Sequence, residues 1–214
     1  MIDLILATRN AHKVQEIQDI LGKRFRIQSL KAYPTAPELI EDKDTFAGNA
    51  ARKATQLAQW LRRPEAFVLA DDSGLEVDAL NGAPGVHSAR FAAADATQGN
   101  SPDSANIEKL LRLLRDLPPE KRSARFRCVL ALVSGESVQT FDGACEGHIA
   151  MEPSGTRGFG YDPVFVPSGY SKSFAELGDD IKNQISHRAR ALQKLKDYFS
   201  SLSQARDEST PPMA

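Results

Sequence analysis

The sequence predicts a layered α/β or α+β domain, and three observations carry that expectation. An apolar run of strand length opens the chain and leads through a polar turn into an amphipathic helix. A second amphipathic helix is followed by another short buried strand. The middle of the chain then changes to a hairpin-like pattern. Strand and helix signals interleave over 214 residues with no internal repeat, a length suited to one domain that can divide into two lobes around a cleft.

Taken in order, residues 2–7 form the first strand and Thr8-Arg9-Asn10-Ala11-His12 the turn. Val14, Ile17 and Leu21 then repeat at i, i+3 and i+7, with Gly22 placed to stop the helix. Pro34 and Pro37 punctuate the next connection. A second helix spans 45–61, with Phe46, Ala50, Ala54, Leu57 and Leu61 on one face. Residues 67–70 read as a strand ending in the turn Asp71-Asp72-Ser73-Gly74. Ala83-Pro84-Gly85 is a turn, and the Ala-, Asp-, Gly- and Ser-rich stretch 92–104 is an exposed loop. Ile107, Leu110, Leu111 and Leu114 mark a third helix, stopped by Pro118-Pro119. Residues 126–133 and 138–141 are expected to pair across a turn at 134–137, and 164–166 to form one more strand. The last helix starts near Ser186 and carries Ala189, Leu192, Leu195, Phe199 and Leu202. The domain is therefore expected over 1–202, with a polar tail at 203–214 that is disordered.

Composition narrows the function. Lys and Arg number 27 against 28 acidic residues, a net charge of −1, so neither long nucleic acid nor an anionic membrane is the expected partner. A small anionic ligand held by local cations fits that balance. Two cysteines, Cys128 and Cys145, are too few and too far apart for a zinc cluster or a Cys-x-x-Cys motif; Cys128 reads as core. The N-terminal apolar run is shorter than a signal peptide's and lacks a basic flank, and no window approaches the roughly 20 apolar residues of a membrane span. A cytoplasmic protein is expected.

Several residues carry possible chemistry, each with a plainer reading beside it. The turn into the first helix presents free N–H groups and a positive dipole end, with Asn10 as cap and Lys13 in the first turn. That fits a phosphate site or a capped surface helix. Lys53 lies only about 20° around the helix axis from Phe46, on the apolar side, where it must snorkel outward or meet an anion. Adjacent Asp71 and Asp72 after a buried strand repel one another unless a cation sits close by, and hard oxygens suit magnesium. Glu41 could add a ligand; an ordinary solvated Asp-Ser-Gly turn is the alternative. Phe159-Gly160-Tyr161-Asp162 fits a base-stacking site or a packed turn. Ser186 is a plausible cap for His187 and Arg188, which would meet an anion, a purine oxygen or only solvent.

In this order the segments resemble the inosine triphosphate pyrophosphatase family. The resemblance rests on Thr8-x-Asn10-x-x-Lys13, Glu41, Thr45-Phe46-x-x-Asn49-Ala50-x-x-Lys53 and Asp71-Asp72-Ser73-Gly74-Leu75. It continues through Gly82-Ala83-Pro84-Gly85, Ser88-Ala89-Arg90, residues 158–163 and Ser186-His187-Arg188. Each motif is weak alone; the series, from Leu6 to about Leu195, is specific. Two positions depart from the pattern: Arg9 stands where many relatives carry glycine, and His87 where an aromatic or aliphatic residue is common.

The resemblance implies an α/β fold with a long curved mixed sheet flanked by helices, two lobes around a central cleft, and a homodimer. It implies hydrolysis of ITP, dITP and XTP to monophosphate and pyrophosphate with Mg2+. Thr8, Arg9, Asn10, Ala11, His12, Lys13 and Lys53 would hold the triphosphate, and Ser73 would touch the nucleotide. Glu41 and Asp72 would bind the metal, with Asp72 also the catalytic base. Phe159, Gly160, Tyr161, Asp162, Lys182, His187 and Arg188 would frame the purine. Asp71 could share the metal or base role, and a pyrimidine-directed pyrophosphatase or a silent nucleotide sensor are the rival functions.

Overall fold

A computed structural model of the chain describes residues 1–93 and 99–208. Its strands are β1 (Ile2–Leu6), β2 (Phe25–Ser29), β3 (Phe67–Val77), β4 (Ser123–Ser134), β5 (Ser137–Ile149) and β6 (Phe165–Pro167). They form one open mixed sheet in the order β2-β1-β3-β4-β5-β6. β1 runs parallel to both β2 and β3, and every pairing from β3 to β6 is antiparallel. The helices are α1 (Ala11–Leu21), α2 (Phe46–Leu61), α3 (Asp103–Leu113), α4 (Phe174–Leu177), α5 (Asp179–Ile185) and α6 (His187–Glu208).

Strand alternation explains how helices come to flank both faces, because successive side chains leave a strand on opposite sides. Leu4, Leu6, Leu69, Cys128, Leu130 and Leu132 point one way and pack under Ile17 and Leu21 of α1 and Leu192, Leu195 and Phe199 of α6. Their neighbours Ile5, Val68, Ala70, Val129, Ala131 and Val133 point the other way, onto Phe46, Ala50, Ala54 and Leu57 of α2. A third cluster, with Leu75, Val77, Phe126, Phe165 and Phe174, lies beneath Ile107 and Leu110 of α3. The expected α/β architecture with a mixed, helix-flanked sheet is the one observed.

Four expectations are corrected. β3 does not stop at Ala70: the Asp-Asp-Ser-Gly segment lies within an eleven-residue strand. Its turn chemistry is overridden because β4 supplies partners throughout, from Asp71 opposite Leu130 to Gly74 opposite Arg127. The hairpin is longer than predicted at both ends and closes on Gly135-Glu136, with Gly135 at φ +60. Charged residues on the exposed face and glycines 143 and 147 disguised those strand ends. β2, α4 and α5 were not predicted, being only 5, 4 and 7 residues long. Finally, α6 continues through Glu208 rather than ending at Leu202; no Gly or Pro interrupts the polar stretch before Pro211. Of the expected loop 92–104, α3 takes the end from Asp103, and residues 94–98, like 209–214 of the expected tail, lie outside the described residues.

The helix–sheet interface should dominate stability. Leu57 of α2 is fully buried, whereas Leu113 of α3 is 48% exposed. Leu57→Ala is expected to cost about 2–5 kcal/mol through lost burial and a cavity. Leu113→Ala should stay within about 0.5 kcal/mol. Urea denaturation midpoints would check the contrast, and equal losses would contradict it.

Candidate active site

The site forms where β1 ends and β3 continues. β1 and β3 are paired up to Leu6 and Leu69, after which the Ala7 amide donates to the Leu69 carbonyl at 2.8 Å and the chain turns away. Beyond this point one edge of β3 is open. The carbonyl of Asp71 on that edge accepts from Lys53 Nζ at 2.8 Å and Lys13 Nζ at 3.5 Å. Asn10 caps α1 as expected, its Oδ1 accepting from the amides of His12 (2.9 Å) and Lys13 (3.1 Å). The Thr8 hydroxyl accepts from the Asn10 amide, which fixes the turn. Arg9 reaches across to the Ala36 carbonyl at 3.0 Å, so it is anchored rather than free in solvent.

The pleat separates the two aspartates. Asp71 shares the α1/α6 side of the sheet with Ser73, and both its oxygens are occupied. Oδ1 accepts from Lys13 (2.6 Å) and Ser73 (2.8 Å); Oδ2 accepts from Arg188 Nε (2.8 Å) and the Cys128 thiol (3.2 Å). Burial works against its charge, but Arg188 and Lys13 outweigh burial and hold its carboxyl well below the ordinary range. A carboxylate this saturated has no lone pair left for a metal or a water. The neighbouring Cys128 thiol is pushed well up by burial and then by Asp71, and stays protonated.

Asp72 faces α2 instead. Lys53, on the apolar side of that helix, does not snorkel away: its ammonium lies 2.5 Å from Glu41 Oε1 and 3.2 Å from Asp72 Oδ1. Burial raises the Asp72 carboxyl above its ordinary value despite Lys53, while Lys53 and Lys13 outweigh burial to keep Glu41 below its own. Glu41 is held in place by the connection into α2. Asn49 Oδ1 accepts from the Lys43 amide at 2.8 Å, and Thr45 caps the helix through the Gly48 amide. Among the described residues Asp72 Oδ2 is buried without a partner, and no group of three or more His, Cys, Asp or Glu comes together. Two converging carboxylates, one with an unspent buried oxygen, fit magnesium, which takes one or two protein acids and completes its shell with water and phosphate.

The far end of the site is aromatic. Phe159 stacks on the ring of His12, centroids 5.2 Å apart and planes 16° from parallel, and Lys182 Nζ lies 4.5 Å from the Phe159 centroid. Asp162 Oδ2 accepts from the Phe159 amide (2.9 Å) and from Lys182 (2.6 Å). Gly158 has φ +79, and a side chain there would run into the Asp162 carboxylate. The Tyr161 hydroxyl donates to the Ser88 carbonyl at 2.9 Å, and the Gly160 amide donates to Asp103 at 2.6 Å. Ser186 caps α6 through the Ala189 amide. His187 stacks on Phe126 at 4.8 Å; burial, then Arg188 and Lys182, holds its imidazole well below the ordinary value and hence neutral.

Two adjoining cavities gather nearly all the expected residues. One contains Phe159, Gly160, Tyr161, Asp162, Lys182, His187 and Arg188; the other contains Thr8, Arg9, Glu41, Lys53 and Asp72. Asn10, Lys13 and Ser73 line both. Only Ala11 and His12 line neither; both sit exposed in the first turn of α1, and His12 reaches the aromatic end through Phe159. Sequence reasoning missed Glu16, which is buried and bridges Lys182 (2.6 Å) and Arg188, and also the supporting Asn106 and Asp103. Glu16 had one legible trace: it stands three residues after Lys13, on the same side of α1.

Comparison with known proteins places the chain in a family. The model of the Ham1 family matches residues 4–198. A dITP/XTP pyrophosphatase of Shouchella clausii (strain KSM-K16) is 48% identical over 203 residues, covering 94% of this chain and 98% of that relative. One of Bacillus subtilis (strain 168) is 46% identical over 203 residues, with the same coverage of 94% and 98%. Among solved structures, a HAM1 protein from Coxiella burnetii superposes with a TM-score of 0.81 at 37% identity, covering 94% of this chain and 100% of that one. A nucleoside-triphosphatase / dITP/XTP pyrophosphatase from Mycobacterium abscessus gives 0.69 at 39% identity, covering 91% and 98%. A family match over nearly the whole length, joined to these likenesses in sequence and fold, establishes that the chain belongs to the Ham1 family.

Proposed function

We propose that the chain hydrolyses non-standard purine nucleoside triphosphates, such as ITP, dITP and XTP, to monophosphate and pyrophosphate, with magnesium as its cofactor. One observation carries this reading. The aromatic and charged cavities adjoin through Asn10, Lys13 and Ser73, so a single ligand with a flat ring and a polyphosphate tail can span both. Relatives nearly half identical along the chain are named dITP/XTP pyrophosphatases, which supports it.

In this reading the turn at Thr8 to Lys13 and the Lys53 ammonium hold the phosphates, with Lys13 and Lys53 kept in place by the carboxylates they also bond. Glu41 and Asp72 would hold the magnesium ion, which when bound neutralises phosphate charge and acidifies water. Asp72 would take the proton from the attacking water through its unspent oxygen. The water oxygen then bonds to the α-phosphorus as the bond to the bridging oxygen breaks, and pyrophosphate leaves with that electron pair. Asp71 holds Lys13 and Arg188 in place and does not enter the chemistry.

The base would lie against Phe159. Lys182 and Arg188 are donors without acceptor capacity, so they suit the 6-oxo group of hypoxanthine or xanthine. The amino group of adenine would meet those donors with its own and leave buried groups unpaired, which makes rejection steep. We further propose a cytoplasmic homodimer whose residues 1–202 act as one two-lobed unit, with no nucleic acid or membrane partner. No helix of the described residues is long and apolar enough to cross a membrane, and Ile40 and Trp60 offer exposed apolar surface for a second copy. Sedimentation velocity showing only monomer would remove the dimer, and recovery outside the cytoplasmic fraction would remove the location.

With ITP and magnesium, phosphorus NMR should show IMP and pyrophosphate; IDP and phosphate would overturn the bond assignment. Turnover of dTTP exceeding that of dITP and XTP would overturn the purine preference. Asp72→Asn should abolish hydrolysis while affinity for a non-hydrolysable ITP analogue stays within about tenfold, about 1.4 kcal/mol. Retained turnover in that variant would take the base role away from Asp72.

A further inference from the structure

We propose that Arg90 is a further catalytic residue, one that binds the oxygens of the departing pyrophosphate. The inference rests on the hydrolysis proposed above and adds to it a residue outside the phosphate and metal set already named.

Arg90 closes a 3-10 turn, Gly85–Arg90, that covers the open edge of β3. Its side chain enters the charged cavity beside Lys53, Glu41 and Asp72 and does not line the aromatic one. Ala89, its neighbour in the chain, lines both cavities together with Asn10, Lys13 and Ser73, so Arg90 stands on the charged side of their junction. A nucleotide with its ring at Phe159 and its α-phosphate near the shared residues extends its β- and γ-phosphates into that charged side.

The guanidinium is also uncommitted. Its side chain is only 19% exposed, and Glu41 Oε2 lies 3.9 Å away, beyond hydrogen-bond length. A guanidinium carries five N–H donors, and among the described residues none of those on Arg90 makes a hydrogen bond. An incoming anion would therefore meet N–H donors that no protein acceptor occupies. Lys13 and Lys53 differ in this respect, since each is already bonded to a carboxylate.

The backbone beneath Arg90 is fastened on both sides. Asn106 of α3, 2% exposed, donates through Nδ2 to the Ala89 carbonyl at 3.3 Å and accepts through Oδ1 from the Ala92 amide at 2.7 Å. The Ser101 amide also donates to Ala89, at 3.0 Å. Ser88 Oγ accepts from the Leu75 amide at 2.9 Å and donates to the Gly85 carbonyl at 2.6 Å. A donor carried on a backbone held this firmly would be in place to stabilise leaving-group charge that develops only as the bond breaks.

The test compares Arg90→Ala and Arg90→Lys with the full-length wild type, using ITP turnover and separate inhibition by pyrophosphate and by IMP. Arg90→Ala should lower kcat/KM by about 100-fold or more, the scale of losing one transition-state donor. Inhibition by pyrophosphate should weaken by about tenfold or more while IMP inhibition stays within about twofold, and Arg90→Lys should recover part of both losses. Unchanged pyrophosphate inhibition overturns the proposal, and so does an equal weakening of both products, which would mark a purely supporting role. If wild type itself yields no pyrophosphate from ITP, the hydrolysis reading falls and this one with it. If wild type does and Arg90→Ala matches it, only Arg90 is removed.

Discussion

Adjacent carboxylates repel, and a strand resolves that repulsion by pointing them to opposite faces. In β3 the pleat sends Asp71 toward α1 and α6 and Asp72 toward α2, and the rest of the site follows from this division. Asp71 spends every lone pair on Lys13, Ser73, Arg188 and Cys128, tying together two helices and two strands. Asp72 keeps one oxygen unspent. A turn at the same four residues, as the sequence suggested, would have left both side chains in solvent with no such distinction.

The Asp71 cluster continues as a buried chain of alternating charge, from Arg188 through Glu16 to Lys182 and Asp162. Burying so many ions is expensive, and each is tolerated only because a partner meets it at close range. Such an arrangement is weak evidence for stability and stronger evidence for fixed geometry. Removing one member strands the next, so the charged and aromatic ends of the cleft are mechanically one object.

Much of this was legible in the sequence. Asn10 as cap, Gly22 as stop, the second helix and its core face all follow from spacing and side-chain chemistry, although Thr45, read as its first residue, is its cap. So did the tension at Lys53, a cation on an apolar stripe, which the fold resolves by giving it two carboxylates. What stayed hidden depends on partners distant in sequence. β3 is long because β4 lies beside it, and Glu16 matters because α5 and α6 bring Lys182 and Arg188 to it. Asn106 reads as one more polar position on an amphipathic helix until the 89–92 backbone is folded against it. Local pattern reports what a segment prefers; it does not report which edge will be left open.

Gly143 shows how far the cleft extends beyond its walls. It pairs with Cys128 across the β4–β5 ladder, and a β-carbon added there would strike the His187 carbonyl and the Ala191 amide at the root of α6. The helix can sit so close only because that position is bare. One methyl group on β5 would lift the whole shaft from its bearing, carrying His187 and Arg188 outward with it. In the proposed reading those two side chains frame the purine, so nucleobase fidelity would be lost by inheritance from a position outside the cleft.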